Sequence, residues 1–398
     1  MSSDILANQI GGFIEKSSFI RKMFENGIEL KKKFGAENVF DFSLGNPDLP
    51  PPTSLTKNLH SIADELSKPF SLGYMPNAGY EHVRDAVAKK VSEEQGVEVP
   101  SNNVVISCGA AGGMNAFFRA TLNQNDEIVV PAPFFVEYSF YVSNFGGKLV
   151  PVKNKELTFE LDFEAIANAI NENTRAMIIN SPNNPTGQVY TAEEMQKLAE
   201  LLKAKSEEFG NVIYLISDEP YRFLYFGEDK LPSVFDYYDN SIVISSYSKS
   251  LSMAGARIGY IAVNPAMEDS VRLLQGIILT NRILGFVNAP ALAQKLLAKS
   301  LDNQVDVEIY HERRDVMRNI LIEAGFEFSD PKGAFYFFPK SPIADDVEFC
   351  AELMKENILA VPGSGFGYPG YFRLTFCVGK DIIERSRAAF IKVMKKYQ

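Results

Sequence analysis

Histidine and cysteine are scarce in this chain, three of each among 398 residues. No Cys/His cluster has the spacing of metal ligands, so no metal site is expected. Cys108, Cys350 and Cys377 are odd in number and far apart. That speaks against a disulfide framework and for a reducing, cytoplasmic setting. No apolar run approaches the ~20 residues of a membrane span. The first residues, Met1-Ser2-Ser3-Asp4-Ile5-Leu6, lack the basic-then-apolar order of a signal peptide. Neither a membrane nor secretion is therefore expected. Positive charge is not in excess: the net charge is −10, which argues against a nucleic-acid surface. Internal repeats and low-complexity segments are also lacking.

What is present is ordinary globular composition, 46% hydrophobic and 23% charged, in a chain long enough for two domains and a large core. Strands and helices alternate from about residue 45 to 280, which predicts an α/β fold with a mostly parallel sheet covered on both faces. Past residue 265 long amphipathic helices follow, through about residue 324. A small β-rich stretch comes after them, with strands expected at Gly333–Phe338, Ile358–Val361 and Tyr371–Phe376. Near the N-terminus, Ile20, Phe24, Ile28 and Leu30 predict a helix that ends on Lys31-Lys32-Lys33, suitably placed for its dipole.

The densest chemistry lies between two apolar runs, Ile242–Ile244 and Ile258–Val263. Between them Ser245 to Arg257 holds one lysine, several hydroxyls and one arginine. A lysine at the end of a buried strand loses solvation, which lowers its pKa and makes it a nucleophile toward a carbonyl. Ser246, Ser248 and Arg257 could hold a phosphate beside Lys249, an arrangement suited to a Schiff-base lysine carrying pyridoxal phosphate. The same residues also fit a surface lysine in a serine-rich loop.

Other stretches point the same way, each with a plainer reading beside it. Val104–Ser107 predicts a strand, Cys108–Gly113 a small-residue turn and Met114 onward a helix. That sequence makes an anion site from backbone N–H groups, or simply an α/β turn. Asp218 ends the apolar run Val212–Ser217, where α/β sheets place ligand contacts; it equally suits a helix N-cap. Ser181–Gly187 is a Pro/Asn/Gly turn, Gly45-Asn46-Pro47-Asp48 another, and Phe134-Phe135 follow a strand as core aromatics would. Arg373 on the apolar strand Tyr371–Phe376 is costly unless paired.

Taken together these stretches resemble the class I/II aminotransferases, the fold-type I pyridoxal-phosphate enzymes. The family signature runs small, any, small, Lys, then Arg eight residues on, an apolar residue and Gly. Ser246, Ser248, Lys249, Arg257, Ile258 and Gly259 fill its fixed places. Asn184-Pro185-Thr186-Gly187 and Asp218-x-x-Tyr221 match two further fingerprints. The resemblance implies that Lys249 carries pyridoxal 5'-phosphate and moves a proton between substrate and cofactor. Asp218 would pair with the pyridine nitrogen. Asn184 and Tyr221 would bond the phenolic oxygen, and Phe135 would stack on the ring. The backbone at Ala110 and Ala111, with Ser246, Ser248 and Arg257, would hold the phosphate. Tyr74 would reach the cofactor phosphate of a partner in a homodimer. Gly45, Asn184 and Arg373 would bind substrate, Arg373 forking onto its α-carboxylate.

The implied organisation is a large cofactor-binding domain, residues 46–289, and a smaller α+β domain, 1–45 with 290–398. The site is expected at the sheet's C-terminal edge, between domains and subunits. The implied reaction moves an amino group from an aspartate-like or aromatic L-amino acid to a 2-oxo acid such as 2-oxoglutarate. Rivals on the same scaffold are a C–S β-lyase, a cyclopropane-forming synthase and a non-enzymatic regulator domain. A dicarboxylic substrate needs a second cation, for which Arg21, Lys22 and Arg282 are candidates. The 30 Phe and 17 Tyr make an aromatic pocket equally available.

Overall fold

The computed structural model describes residues 5–398. The side chains of residues 15–26 lie outside that description, and with them the Arg21 and Lys22 candidates and the expected Ile20/Phe24 face. The chain divides into two units. One comprises Asn46–Val307 with Lys332–Ala334, the other Met1–Gly45, Glu308–Pro331 and Phe335–Gln398. The division after Val307 leaves the helix Ala291–Ala298 with the larger unit, whereas the sequence reading put the boundary near residue 289.

The larger unit is built on a seven-stranded sheet: β1 (Val104–Ser107), β2 (Glu127–Ala132), β3 (Lys148–Lys153), β4 (Thr174–Asn180), β5 (Tyr214–Asp218), β6 (Ser241–Ser246) and β7 (Gly259–Val263). Their spatial order is β1-β7-β6-β5-β4-β2-β3. Only β7 runs antiparallel to its neighbours; the other pairings are parallel. Such a sheet is buried on both faces, which is why its inner strands read as continuous Ile/Val/Leu runs rather than alternating ones. In β6 every residue is buried. The edge strand β3, whose apolar residues Leu149, Val150 and Val152 lie between the exposed Lys148 and Lys153, was not anticipated. The helix Glu81–Gln95 buries Val83, Val87, Ala88 and Val91, one stripe at helical spacing.

Register determines what the sheet presents at its C-terminal edge. Asn180 of β4 pairs with Asp218 of β5. Asp218 pairs with Ile244 of β6, two residues before Ser246, which pairs with Gly259 of β7. Gly259 pairs in turn with Ser107 of β1. Four strands therefore end in one row of polar residues, where parallel α/β sheets bind ligands.

The smaller unit carries the predicted N-terminal helix, Asn8–Phe34, with Lys31, Lys32 and Lys33 in its last turn. A three-stranded antiparallel sheet orders Val361–Pro362, Phe372–Thr375 and Tyr336–Phe337. The expected strand Gly333–Phe338 is thus reduced to two paired residues. Phe326 packs edge-on against Phe349, Phe372 and Phe390, so this unit's core is largely aromatic. No described helix is long and apolar enough to cross a membrane.

Candidate active site

The helix after β1 begins at Gly109, not near Met114 as the sequence suggested, and runs to Thr121. Gly109, Ala110, Ala111 and Gly112 make up its first turn, and no side chain caps its start. An uncapped first turn leaves backbone N–H groups, including those at Ala110 and Ala111, free to face an anion. Gly109 has φ +71°, and a Cβ there would come within 2.9 Å of Arg257 Nη2. The guanidinium therefore lies against the helix start. A Cβ at Gly259 would strike Ser245 O at 2.5 Å and Ala110 N at 2.9 Å. Glycine there is what allows β7 to pass so close to the helix. Arg257, at φ +51°, donates to Ala254 O at 3.0 Å. The Ser246 hydroxyl donates to Ser248 at 3.1 Å. One cation, two hydroxyls and a helix N-terminus thus converge from two stretches remote in sequence, Gly109–Ala111 and Ser246–Arg257.

Lys249 follows β6 in a turn closed by Ser252 N to Lys249 O and by Met253 N to Tyr247 O, both 3.3 Å. It is half-buried, less enclosed than the end of a fully buried strand suggested. Asn184 and Tyr221 are buried. The Asn184 loop is held by its own hydrogen bonds: Asn184 N donates to Asn180 Oδ1 at 2.7 Å, and Thr186 Oγ1 to Asn183 Oδ1 at 2.9 Å.

Asp218 is buried. Its Oδ2 accepts a 2.5 Å hydrogen bond from Tyr138 Oη. Its Oδ1 is buried and receives no hydrogen bond from any described residue. It is no helix N-cap, since no helix starts there. Burial pushes this carboxyl up to about 7, against the lowering effect of the Tyr138 hydrogen bond and with the neighbouring Glu219 charge adding to the rise. An ionised carboxylate left half-satisfied in a dry interior is costly. Such a group is suited to receive a cation or an N–H donor.

The whole arrangement can be compared with known proteins. The model of the family described as aminotransferase class I and II matches residues 37–387. A probable aspartate/prephenate aminotransferase of Aquifex aeolicus is 32% identical over 361 residues, 86% of this chain and 88% of that protein. An aspartate aminotransferase of Thermotoga maritima is 31% identical, covering 90% of this chain and 91% of that one. The crystal structure of an aminotransferase from Eubacterium rectale superposes with a TM-score of 0.95 at 38% identity, over 99% of both chains. The chain belongs to the class I and II aminotransferases. It is a transaminase with the fold-type I architecture.

Two residues of this aminotransferase escaped the sequence reading. Tyr138 lies one turn beyond Phe135, in the short helix Glu137–Ser143, and stands edge-on to the Phe135 ring at 5.6 Å. A tyrosine three residues after the expected stacking ring was the available signal. Asn180 joins two loops: its Nδ2 donates to Asp218 O at 2.8 Å while its Oδ1 accepts from Asn184 N. As the last residue of an apolar strand it read as that strand's end.

In the smaller unit Arg373 is buried. Its Nη2 donates to Ser43 O at 2.6 Å. The guanidinium lies over the Tyr336 and Phe366 rings, 4.7 and 4.8 Å from their centroids. The cost expected for a cation on this strand is offset by that stacking. Gly45 sits against Tyr336, whose hydroxyl would be 2.0 Å from any Cβ. Tyr74 and Arg282 are exposed on the larger unit.

Proposed function

We propose that this transaminase uses pyridoxal 5'-phosphate bound at the C-terminal edge of the large sheet. The amino group would pass from an aspartate-like or aromatic L-amino acid to a 2-oxo acid such as 2-oxoglutarate. The observation that carries the proposal is the buried, unsatisfied Oδ1 of Asp218 on the same sheet edge as the anion-binding helix start. A protonated ring nitrogen and a phosphate on one molecule match those two demands.

When bound, the cofactor supplies an electron sink for charge developing at the substrate's Cα. The remaining roles belong to the chain. Lys249 holds the cofactor covalently and, once released, moves the proton at Cα. Asp218 keeps the ring nitrogen protonated. Asn184 and Tyr221 bond the ring's phenolic oxygen, and Phe135 covers one ring face. Ser246, Ser248, Arg257 and the N–H groups at Ala110 and Ala111 take the phosphate. Arg373, already oriented by Ser43 O and two rings, grips the α-carboxylate. Gly45 borders the same carboxylate, and Tyr74 completes a partner's phosphate site in a homodimer.

The relatives' names support the aspartate-like class. The Aquifex relative is named for aspartate and prephenate, and the Thermotoga relative for aspartate. A panel of amino donors with 2-oxoglutarate, followed by loss of cofactor absorbance, tests the class. Aspartate and phenylalanine are expected to react, and pyruvate release from cystathionine without amino transfer would replace this reading with a lyase. Borohydride should fix the cofactor to the wild type but not to Lys249→Ala, and fixation in the variant would remove Lys249 from its role. A fully active monomer in sedimentation would remove Tyr74 from its role.

A further inference from the structure

We propose that Tyr138 is a positioning residue for the reaction: its hydroxyl, bonded to Asp218 Oδ2, keeps the proton of the Asp218–ring-nitrogen pair on the ring and directs Oδ1 toward it. The inference rests on the pyridoxal-phosphate reading above.

The geometry carries it. A carboxylate in a dry site has two oxygens and several lone pairs to satisfy. Tyr138 Oη takes Oδ2 at 2.5 Å, within the range of charge-assisted O–H···O bonds. Oδ1 is left as the one oxygen with no protein donor among the described residues. The Asp218 backbone is fixed separately, by Asn180 Nδ2 on its carbonyl and by pairing to Asn180 and Ile244. Tyr138 thereby decides which oxygen faces the site. It also packs edge-on to Phe135 at 5.6 Å, so one side chain orients both the proposed stacking ring and the proposed proton partner.

The electrostatics agree in sign. Burial alone would hold Asp218 neutral, and the Tyr138 hydrogen bond opposes it. Tyr138 itself is pushed well above the ordinary phenol value, first by burial and then by the Asp218 charge, so it stays a donor at every working pH. The other titratable groups acting on the pair are Tyr141 from the same helix, with Tyr221 and Glu219 from the segment after β5. Glu137 and Arg257 act on Tyr141 in turn. None of these donates a hydrogen bond to Asp218 among the described residues; Tyr138 alone does. Without that bond, the proton shared between Asp218 and the ring nitrogen shifts toward the carboxylate. A neutral ring withdraws electrons from Cα less strongly.

The test uses holoenzyme loaded with cofactor labelled with 15N in the ring, comparing wild type with Tyr138→Phe, Tyr138→Gln and Tyr141→Phe. The wild-type nitrogen should show the shift of a protonated ring throughout pH 6 to 9. In Tyr138→Phe the signal should move toward the unprotonated value, with kcat falling roughly ten- to hundred-fold and KM for the amino acid little changed. Tyr138→Gln returns an N–H donor and should keep the wild-type signal, as should Tyr141→Phe. A protonated-ring signal retained in Tyr138→Phe overturns the inference. So does an equal shift in the Phe and Gln variants, which would indicate packing rather than hydrogen bonding. If Tyr138→Phe does not fold, the Gln variant decides alone, and a signal displaced from wild type overturns the proposal. A wild type that takes up no labelled cofactor would instead refute the cofactor reading on which the inference rests.

Discussion

Asp218 and Glu219 are adjacent carboxylates at the end of one strand, both buried, and they are satisfied in opposite ways. Glu219 accepts from Ser217 Oγ at 2.8 Å, Gln95 Nε2 at 3.0 Å and Arg222 Nη1 at 3.4 Å, so both its oxygens are engaged within the protein. Asp218 has one donor and one bare oxygen. Alternation along the strand turns the two side chains to opposite faces. One meets a closed network, the other the polar edge of the sheet. The difference separates a carboxylate that is complete in the folded chain from one with an oxygen left for a group from outside, the role proposed for Asp218.

The largest effect expected from this contrast is on catalysis at Asp218. Asp218→Asn keeps the shape but removes the charge proposed to hold a protonated ring nitrogen. Steady-state kinetics should show kcat/KM lower by about a thousand-fold, the scale of losing one preorganised electrostatic partner. Glu219→Gln, changed in the same way one residue on, should lose less than ten-fold. If the two variants lose activity equally, the contrast between them has no functional content.

The next largest effect is on stability at the closed network. Arg222 bonds the carbonyls of Glu94, Leu231 and Pro232 at 2.7, 3.2 and 3.1 Å as well as Glu219. Arg222→Met leaves Glu219 a buried charge without its cation, a change that costs about 3–5 kcal/mol. Chemical denaturation should show that loss with and without cofactor alike. A loss confined to the cofactor-bound form would mean that this network serves the site after all.

How far this contrast could be read in the sequence depends on the kind of signal. Parallel strands β4, β5 and β6 stood out as apolar runs because burial on both faces leaves no alternation to interpret. The edge strand β3 carries exposed lysines and was missed for the converse reason. Lys249, Asn184, Asp218 and Arg257 were singled out because each lies in a short stretch that repeats one of the family's fingerprints. Tyr138 was not, since its partner lies 80 residues away and only the pairing of strands brings them together. The start of the helix at Gly109 was placed five residues late, because a glycine-rich first turn scores as loop by propensity. Here the turn is held by tertiary contacts that propensity does not register: Arg257 over Gly109, and β7 against Ala110.

A third, smaller effect concerns pH. Burial raises Asp218 from an ordinary 3.8 to about 7 and Glu94 from 4.5 to about 7. A carboxyl whose folded pKa is raised binds its proton more tightly in the folded state. Its contribution to stability is therefore full below the unfolded value and is lost as pH rises through the folded one. The cofactor-free protein should lose stability between pH 4 and about 7. Asp218→Asn should flatten part of that decline, with the Glu94 part left intact. Thermal unfolding across that range measures it. A variant whose profile superposes on the wild type would mean that Asp218 is not held neutral by burial.

The smallest effect tests whether Glu219 is as complete as the contrast requires. Ser217 lies on β5 itself and gives Oε1 its one donor among the described residues, at 2.8 Å, while Gln95 and Arg222 both serve Oε2. Ser217→Ala therefore leaves one oxygen of Glu219 bare, as Asp218 Oδ1 already is, but on the closed face where no ligand is proposed. A lost hydrogen bond to a charged group costs about 1.5 kcal/mol, less than removing the cation, because Arg222 still neutralises the charge. Denaturation should report that modest loss while kcat stays within about two-fold, since a stability change of this size leaves the native fraction near unity. A fall in kcat well beyond that, at unchanged cofactor occupancy, would show that strain at Glu219 is transmitted along the backbone to Asp218. The two carboxylates would then work as one unit rather than as opposites.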